Sequence, residues 1–537
     1  MIQRSGVRVS SASGATVLLC AAAVTAAAPA TGARALLAEG MSLLQAQKVD
    51  AARERFEAAL RLDPGSAQAH YMLGWIRERA GDRESAAASY EAAIRHAPSL
   101  AVAHDRLAFV RGEQGRTADA LAGFEKAVAL DPALFDAQYH LGATLWWTGQ
   151  PERALAPLRA AVRLRPQHAE ARYYLGLATR KVGDLPGAVA HLRHAAKLDP
   201  KLAPIRLQLG VALREWGDVE GAVAELQEAV ALAPALADAR NTLGLALMEH
   251  GRADEAAEAF RAVLAADPAH TSARHNLGSA LMQKGDLDGA VAVYRELTQR
   301  APDHAEAFYN LGLALKQKDD FAGAEQALRT ASALAPGLPE AHYTLGVVLW
   351  QTGRADEAAD ALRAALAARP GYAEARYLLG SVRKQQGRLG EAIAEFREAI
   401  RVQPGLAEAH LSLGQSLQQK QDAAGAAAAF AEAQRLNQKK ADAQAAQFAL
   451  AAARERLARG DLDGALARLR EAVRLAPGDA QAHRQLALAL AKKGAAAEAA
   501  SHLAQARRLA PWLGAEPAPQ PAARPKARPA PESQEEK

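Results

Sequence analysis

Six tyrosines, Tyr71, Tyr139, Tyr173, Tyr309, Tyr343 and Tyr377, are separated by multiples of 34 residues. Seven residues after the last five stand Trp146, Arg180, Lys316, Trp350 and Lys384, and Trp75 follows Tyr71 by four. On a helix, seven residues are two turns, so each tyrosine shares a face with its indole or cation. The chemistry such a strip offers is contact, since Tyr and Trp present large amphipathic surfaces at low entropic cost. Aromatics are only 5% of the chain, which makes their regular return informative. Between the two aromatic runs the corresponding places hold Leu207, Asn241 and His275, with Met248 and Met282 two turns on.

Nothing comparable points to catalysis. The chain has no P-loop, dinucleotide fingerprint, HExxH or GxSxG elbow. His191 and His194 lie three apart and could begin a metal site, but no third ligand is placed by sequence, and two exposed helical histidines are the better reading. His70, His104, His342, His410 and His483 occupy one place in different repeats and form no cluster. One cysteine in 537 residues excludes a disulfide framework and a cysteine-based zinc site. The expectation is a chain with no enzyme activity, cofactor or metal.

The elements that position the strip follow from the period. Proline recurs every 34 residues from Pro64 to Pro404, and glycine keeps the same period from Gly40 to Gly414, with Ala108 in one gap. Alanine holds every thirty-fourth place from Ala52 to Ala426. Twelve repeats run in register to Lys440, residues 441–445 are an insertion, and two more repeats occupy 446–513. In repeat 339–372, Leu345 and Leu349 recur at helical spacing, and Gly353 ends a first helix as the residue able to turn left-handed. Ala358, Leu362 and Ala365 then form the stripe of a second helix, which Pro370 stops. Gly346 and Ala358 are small so that the two helices approach closely.

Such a pair cannot bury both faces alone and must stack on its neighbours. The pattern, written here as AEAFYNLGLALKQK (305–318) and EAADALRAALAARP (357–370), resembles the tetratricopeptide repeat family over about 33–513. The resemblance implies an all-α, right-handed superhelical solenoid of about 14 helix-turn-helix repeats, with the first helices lining a concave groove. On the face assigned to that groove, the fourteen repeats carry ten basic and twelve acidic residues. A near-neutral groove speaks against nucleic acid, as does a net charge of only +5. The family's clamp for a C-terminal carboxylate needs Lys and Asn at places where no repeat here has them, so that ligand is rejected.

Two segments depart from the repeats, and a third breaks their register. Arg4 and Arg8 precede an uncharged run from Ala15 to Ala28, and Ala28-Pro29-Ala30 predicts signal-peptide cleavage of residues 1–30, before Thr31. That run is too short for a membrane span, and no later segment suits one, so the mature chain is expected to be periplasmic or secreted with no transmembrane segment. The tail, 514–537, is Pro-rich with a charged end and reads as disordered. At the twelfth boundary Gln438 stands where proline is expected, and no Gly or Pro falls between Gly425 and Gly460. That join is compatible with one long helix or a longer irregular connection, and is expected to be a weak seam that leaves the last two repeats semi-independent. The functional expectation is a non-catalytic scaffold that binds a peptide or partner protein in its groove. The rival is a periplasmic component of a polysaccharide synthesis or export system, its aromatics touching sugars or the synthase.

Overall fold

The computed structural model describes residues 32–510, in which 27 helices run from α1 (Gly32–Gln45) to α27 (Ala496–Leu509) with no strand among the described residues. The predicted cleavage before Thr31 and the tail 514–537 lie outside the described residues. The chain divides into two compact units, at Arg252 and Ala253. Apart from one 36-residue helix in the second unit, first helices of 13 or 14 residues alternate in each unit with second helices of 14 and pack consecutively, as a solenoid of helix pairs does. No break in the 34-residue period marks the division between the units.

The ends of these helices have local causes. Gly353 takes φ +80° after its first helix, as its place predicts, and Gly81, Gly217 and Gly387 do the same in other repeats. Second helices are capped by aspartates such as Asp184 and Asp218, whose carboxylates accept from the backbone N–H three residues on at 2.9 and 3.0 Å. The recurring histidines also find a structural role. The Nε2–H of His70, His104, His342, His410 and His483 each donates to the carbonyl of the proline six residues before it, at 2.9–3.1 Å. Arg172 and Arg206 make the same bond in their repeats. Where it is His or Arg, this residue ties the start of the first helix to the turn before it.

The repeated glycine serves packing, and its main neighbour is not the alanine that its spacing suggests. A Cβ on Gly346 would lie 2.8 Å from Leu362 Cγ, whereas Ala358 contributes only its carbonyl oxygen at 3.4 Å. Gly74 makes the same room for the Tyr90 ring and Gly380 for Phe396. Where Ala108 replaces the glycine, the opposing helix supplies Gly123, at which a Cβ would approach the Ala108 Cβ to 2.7 Å. One small residue per crossing is needed, and either helix can provide it. Gly142→Ala puts a methyl 2.5 Å from Leu158 Cγ and 3.2 Å from its backbone nitrogen. We expect it to destabilise its repeat by about 1–3 kcal/mol, the usual cost of overpacking. A chemical melt of the variant indistinguishable from the parent would remove the glycine's packing role.

The join near residue 440 is one continuous helix, α24 (Ala423–Ala458), 36 residues long. Its first half buries Ala426, Ala429 and Ala433, its second half Ala446, Ala449, Leu450 and Ala453. Between them, residues 434–445 are exposed except for Leu436 and Asp442, which are half-buried. Both partners of the turn-fixing hydrogen bond are absent here, since Gln438 replaces the proline and Ala449 the histidine or arginine. With neither a helix stop nor a turn clamp, the helix runs through.

Candidate functional site

The six tyrosines occupy equivalent places on first helices, but the two units treat them differently. In the first unit Tyr71, Tyr139 and Tyr173 are 4, 2 and 6% exposed. Tyr139, on α7 (Phe135–Trp147), is walled in by the rings of Phe135, His168 and Tyr174 at 5.9, 5.1 and 6.1 Å, and its hydroxyl donates to Glu170 at 2.9 Å. Burial, then the Glu170 carboxylate, push its pKa well above the ordinary value. Tyr173 packs edge-on against Tyr174 at 5.4 Å. These three rings are core, with little surface for a ligand. Their companions keep more exposure: Trp146 is half-buried, Trp75 carries the Arg79 guanidinium 4.9 Å above its ring, and Arg180 pairs with Glu215 at 3.0 Å. The most open indole here is Trp147, 43% exposed with its Nε1–H on the Tyr174 hydroxyl at 3.2 Å. It stands one residue after the place that the repeat spacing singles out.

In the second unit, Tyr309 on α17 (Ala305–Gln317), Tyr343 on α19 (Pro339–Gln351) and Tyr377 on α21 (Ala373–Gln385) are all half-buried. Tyr309 hydrogen-bonds to Thr344, while burial chiefly, then Glu374, Tyr377 and Tyr309, raise the pKa of Tyr343. The three phenols are therefore neighbours along successive first helices. Trp350 Nε1–H donates to Gln385 Oε1 at 2.6 Å, and Lys384 Nζ to Gln415 Oε1 at 2.8 Å, each reaching the next repeat's first helix. Lys316 has no ion pair among the described residues and is half-buried. The spacing missed Tyr372, which immediately precedes α21, lies 5.0 Å from the Tyr343 ring and carries Arg369 4.9 Å over its face. It ends a repeat instead of recurring within it, so no periodicity could flag it. The result is a strip of phenols, an indole and two ammonium groups, able to bind by stacking, hydrogen bonding and charge.

Among the described residues, no group of three or more His, Cys, Asp or Glu side chains is arranged to hold a metal, and burial lowers the pKa of both His191 and His194. No helix of the described residues is long and apolar enough to cross a membrane.

Family profiles agree with this architecture. One described as "Tetratricopeptide repeat" matches residues 37–101 and 144–203, one described as "TPR repeat" matches 453–494, and the C-terminal domain of cilia and flagella-associated protein 70 matches 212–450. The chain is a tetratricopeptide repeat protein. Among solved structures, this repeat protein is similar to MamA at 30% identity over 31% of this chain and 96% of that one, with a TM-score of 0.30. YrrB, described as a TPR protein with an unusual peptide-binding site, is 26% identical over 34% of this chain and 95% of its own, with a TM-score of 0.33. Yeast Tom70 is 15% identical over 73% and 95%, with a TM-score of 0.38. No curated protein matches the chain.

Proposed function

We propose that this tetratricopeptide repeat protein is an exported, non-catalytic scaffold that captures an extended peptide or a segment of a partner protein along repeats 9–11. The observation that carries this reading is the half-exposed run of Tyr309, Tyr343 and Tyr377 with Lys316, Trp350 and Lys384. Such a run offers a ring at every repeat for side chains, and at two of the three an ammonium group for carbonyls or carboxylates. Repeat scaffolds of this kind serve protein–protein interaction, and their length suits an extended ligand. The basic start and small-residue site at 28–30 support export.

Affinity purification of the native protein, with mass spectrometry of what it captures and N-terminal sequencing of the bait, tests both halves. The expected bait begins at Thr31 and carries a protein partner. An intact Met1 terminus on cytoplasmic material would refute export, and recovery of polysaccharide or its synthase would favour the rival reading.

A further inference from the structure

In repeats 5, 6, 8 and 11 the residue that holds the turn is an arginine, and its guanidinium has donors to spare. In three of these repeats a glutamate on the second helix takes them up. Arg206 Nη1 donates to Glu225 at 2.8 Å and Arg376 Nη1 to Glu395 at 3.3 Å, each partner nineteen residues on. Arg274 pairs at 3.4 Å with Glu296, twenty-two residues on. In repeat 5 both of those places hold histidine: Arg172 has His191 nineteen residues on and His194 twenty-two on. The Nε–H of Arg172 donates to the Pro166 carbonyl at 2.8 Å, and the guanidinium makes no ion pair among the described residues. Repeat 7, with Arg240, has Ala259 and Ala262 at the same places, which add no donor.

The surroundings of Arg172 are basic. It lies on α9 (Ala169–Lys181), and the two histidines lie on α10 (Leu185–Leu198), which has no acidic residue. Arg159 and Arg163, exposed on α8 (Pro151–Leu164), and Lys197, exposed on α10, likewise make no ion pair among the described residues. Burial chiefly, then Arg172 and Arg159, lower the pKa of His191 against the pull of Asp184. For His194, burial is followed by Arg172 and Lys197. These influences bring Arg159, Arg172, His191, His194 and Lys197 together on one surface of the first unit. Arg172, His191 and His194 are half-buried and form its recessed part, with Arg159 and Lys197 exposed at its edge. The next second helix, α12 (Val219–Leu232), has three glutamates and no base, so the basic surface is local.

We propose that this surface docks an acidic segment of a partner protein, one carboxylate of which sits on Arg172 beside the two imidazoles. The occupant follows from the sister repeats. Beside the same arginine, repeats 6, 8 and 11 hold a glutamate side chain, so the place suits a carboxylate on a flexible stem. The Nη donors that Glu225 and Glu395 engage are left to the ligand in repeat 5, and each imidazole adds an N–H donor. Arg159 and Lys197 then meet further acidic residues of the same segment. The site belongs to the first unit and does not rest on the aromatic strip of repeats 9–11, so either can be lost without the other.

Titration of a fluorescein-labelled hexaglutamate peptide with the full chain, followed by anisotropy, is expected to show saturable binding. His191→Glu rebuilds the internal pair of repeats 6 and 11. It should fill the site, melt no lower than the parent and weaken peptide binding at least about tenfold. Arg172→Gln should weaken binding as much, but it also removes the turn bond, so His191→Glu is the deciding variant. Arg163→Gln makes the same change in charge on the exposed surface of α8 and should weaken binding less than about threefold. A parent that does not bind the peptide overturns the proposal, and so does equal weakening by Arg163→Gln, the mark of diffuse attraction. Tighter binding of an oligothymidylate or of phosphatidylglycerol vesicles, lost in His191→Glu, would assign the surface to phosphate and overturn it as well.

Discussion

Replacing Arg106 with alanine is expected to destabilise repeats 2 and 3 by about 3–5 kcal/mol, the usual cost of stranding one partner of a buried ion pair. Arg106 and Glu78 are 5 and 8% exposed at their side chains. The guanidinium donates through Nη2 to Glu78 Oε1 at 2.7 Å and through Nε to Oε2 at 3.3 Å, and the Tyr90 hydroxyl donates to Oε2 at 2.7 Å. Burial works against the charge on Arg106, but the carboxylates of Glu78 and Asp105 outweigh it and leave its pKa raised. Without the arginine, the Glu78 carboxylate remains buried with the Tyr90 hydroxyl as its main support. Glu78→Gln should cost less than Arg106→Ala, because the amide oxygen still accepts from the guanidinium and Asp105 still offsets its charge, whereas Arg106→Ala leaves a bare carboxylate. Replacing both Arg106 and Glu78 with apolar residues should cost far less than the sum of the single changes. Solenoids unfold locally, so hydrogen exchange over 67–134 is a better measure than one global midpoint. A loss below about 1 kcal/mol there would mean that water reaches the pair and that its burial does not set its energy.

The second large effect bears on binding. Tyr343→Ala with Trp350→Ala should weaken partner capture by well over a factor of ten, since truncating a hot-spot aromatic typically costs about 2 kcal/mol or more. The two losses need not add, because both groups belong to one strip. The structural cost should be modest: Tyr343 is half-buried with the Tyr372 ring beside it, and Trp350 gives up one hydrogen bond to Gln385. Two controls separate binding from folding. Leu345→Ala with Leu349→Ala removes side chains that are 8 and 2% exposed and should destabilise the repeat by several kcal/mol. Tyr139→Ala, in the first unit, should likewise act as a core deletion, costing about 3–5 kcal/mol with little direct effect on capture. Melts followed by circular dichroism, beside a pull-down, distinguish these outcomes. Unchanged capture by the Tyr343/Trp350 variant, together with a large fall in melting temperature, would assign the strip to packing.

Residues close in sequence carried most of the architecture. The 34-residue recurrence of proline and small residues determined the repeat, and the left-handed glycine at Gly353 and the stop at Pro370 set the helix ends, because those are steric properties of single residues. The reason for the recurring glycine was only half legible. The sequence shows that a small residue is needed, but the ring or branched side chain that fills the space sits on the facing helix, as the exchange of Ala108 with Gly123 makes plain. The candidate strip was legible as a list and not as a surface. Tyr139 and Tyr343 hold the same place in the repeat, yet Phe135, His168 and Tyr174 close over Tyr139, whereas Tyr343 stays half-open beside Tyr372. Most of those neighbours lie about thirty residues away, so only assembled repeats decide which tyrosine meets solvent. The join at α24 was undecided for a similar reason. Alanine-rich sequence without Gly or Pro permits a helix from 423 to 458, but whether it bends depends on the turn contacts that Gln438 and Ala449 do not supply. Tertiary structure chose the continuous helix, and with it the exposure of Phe448.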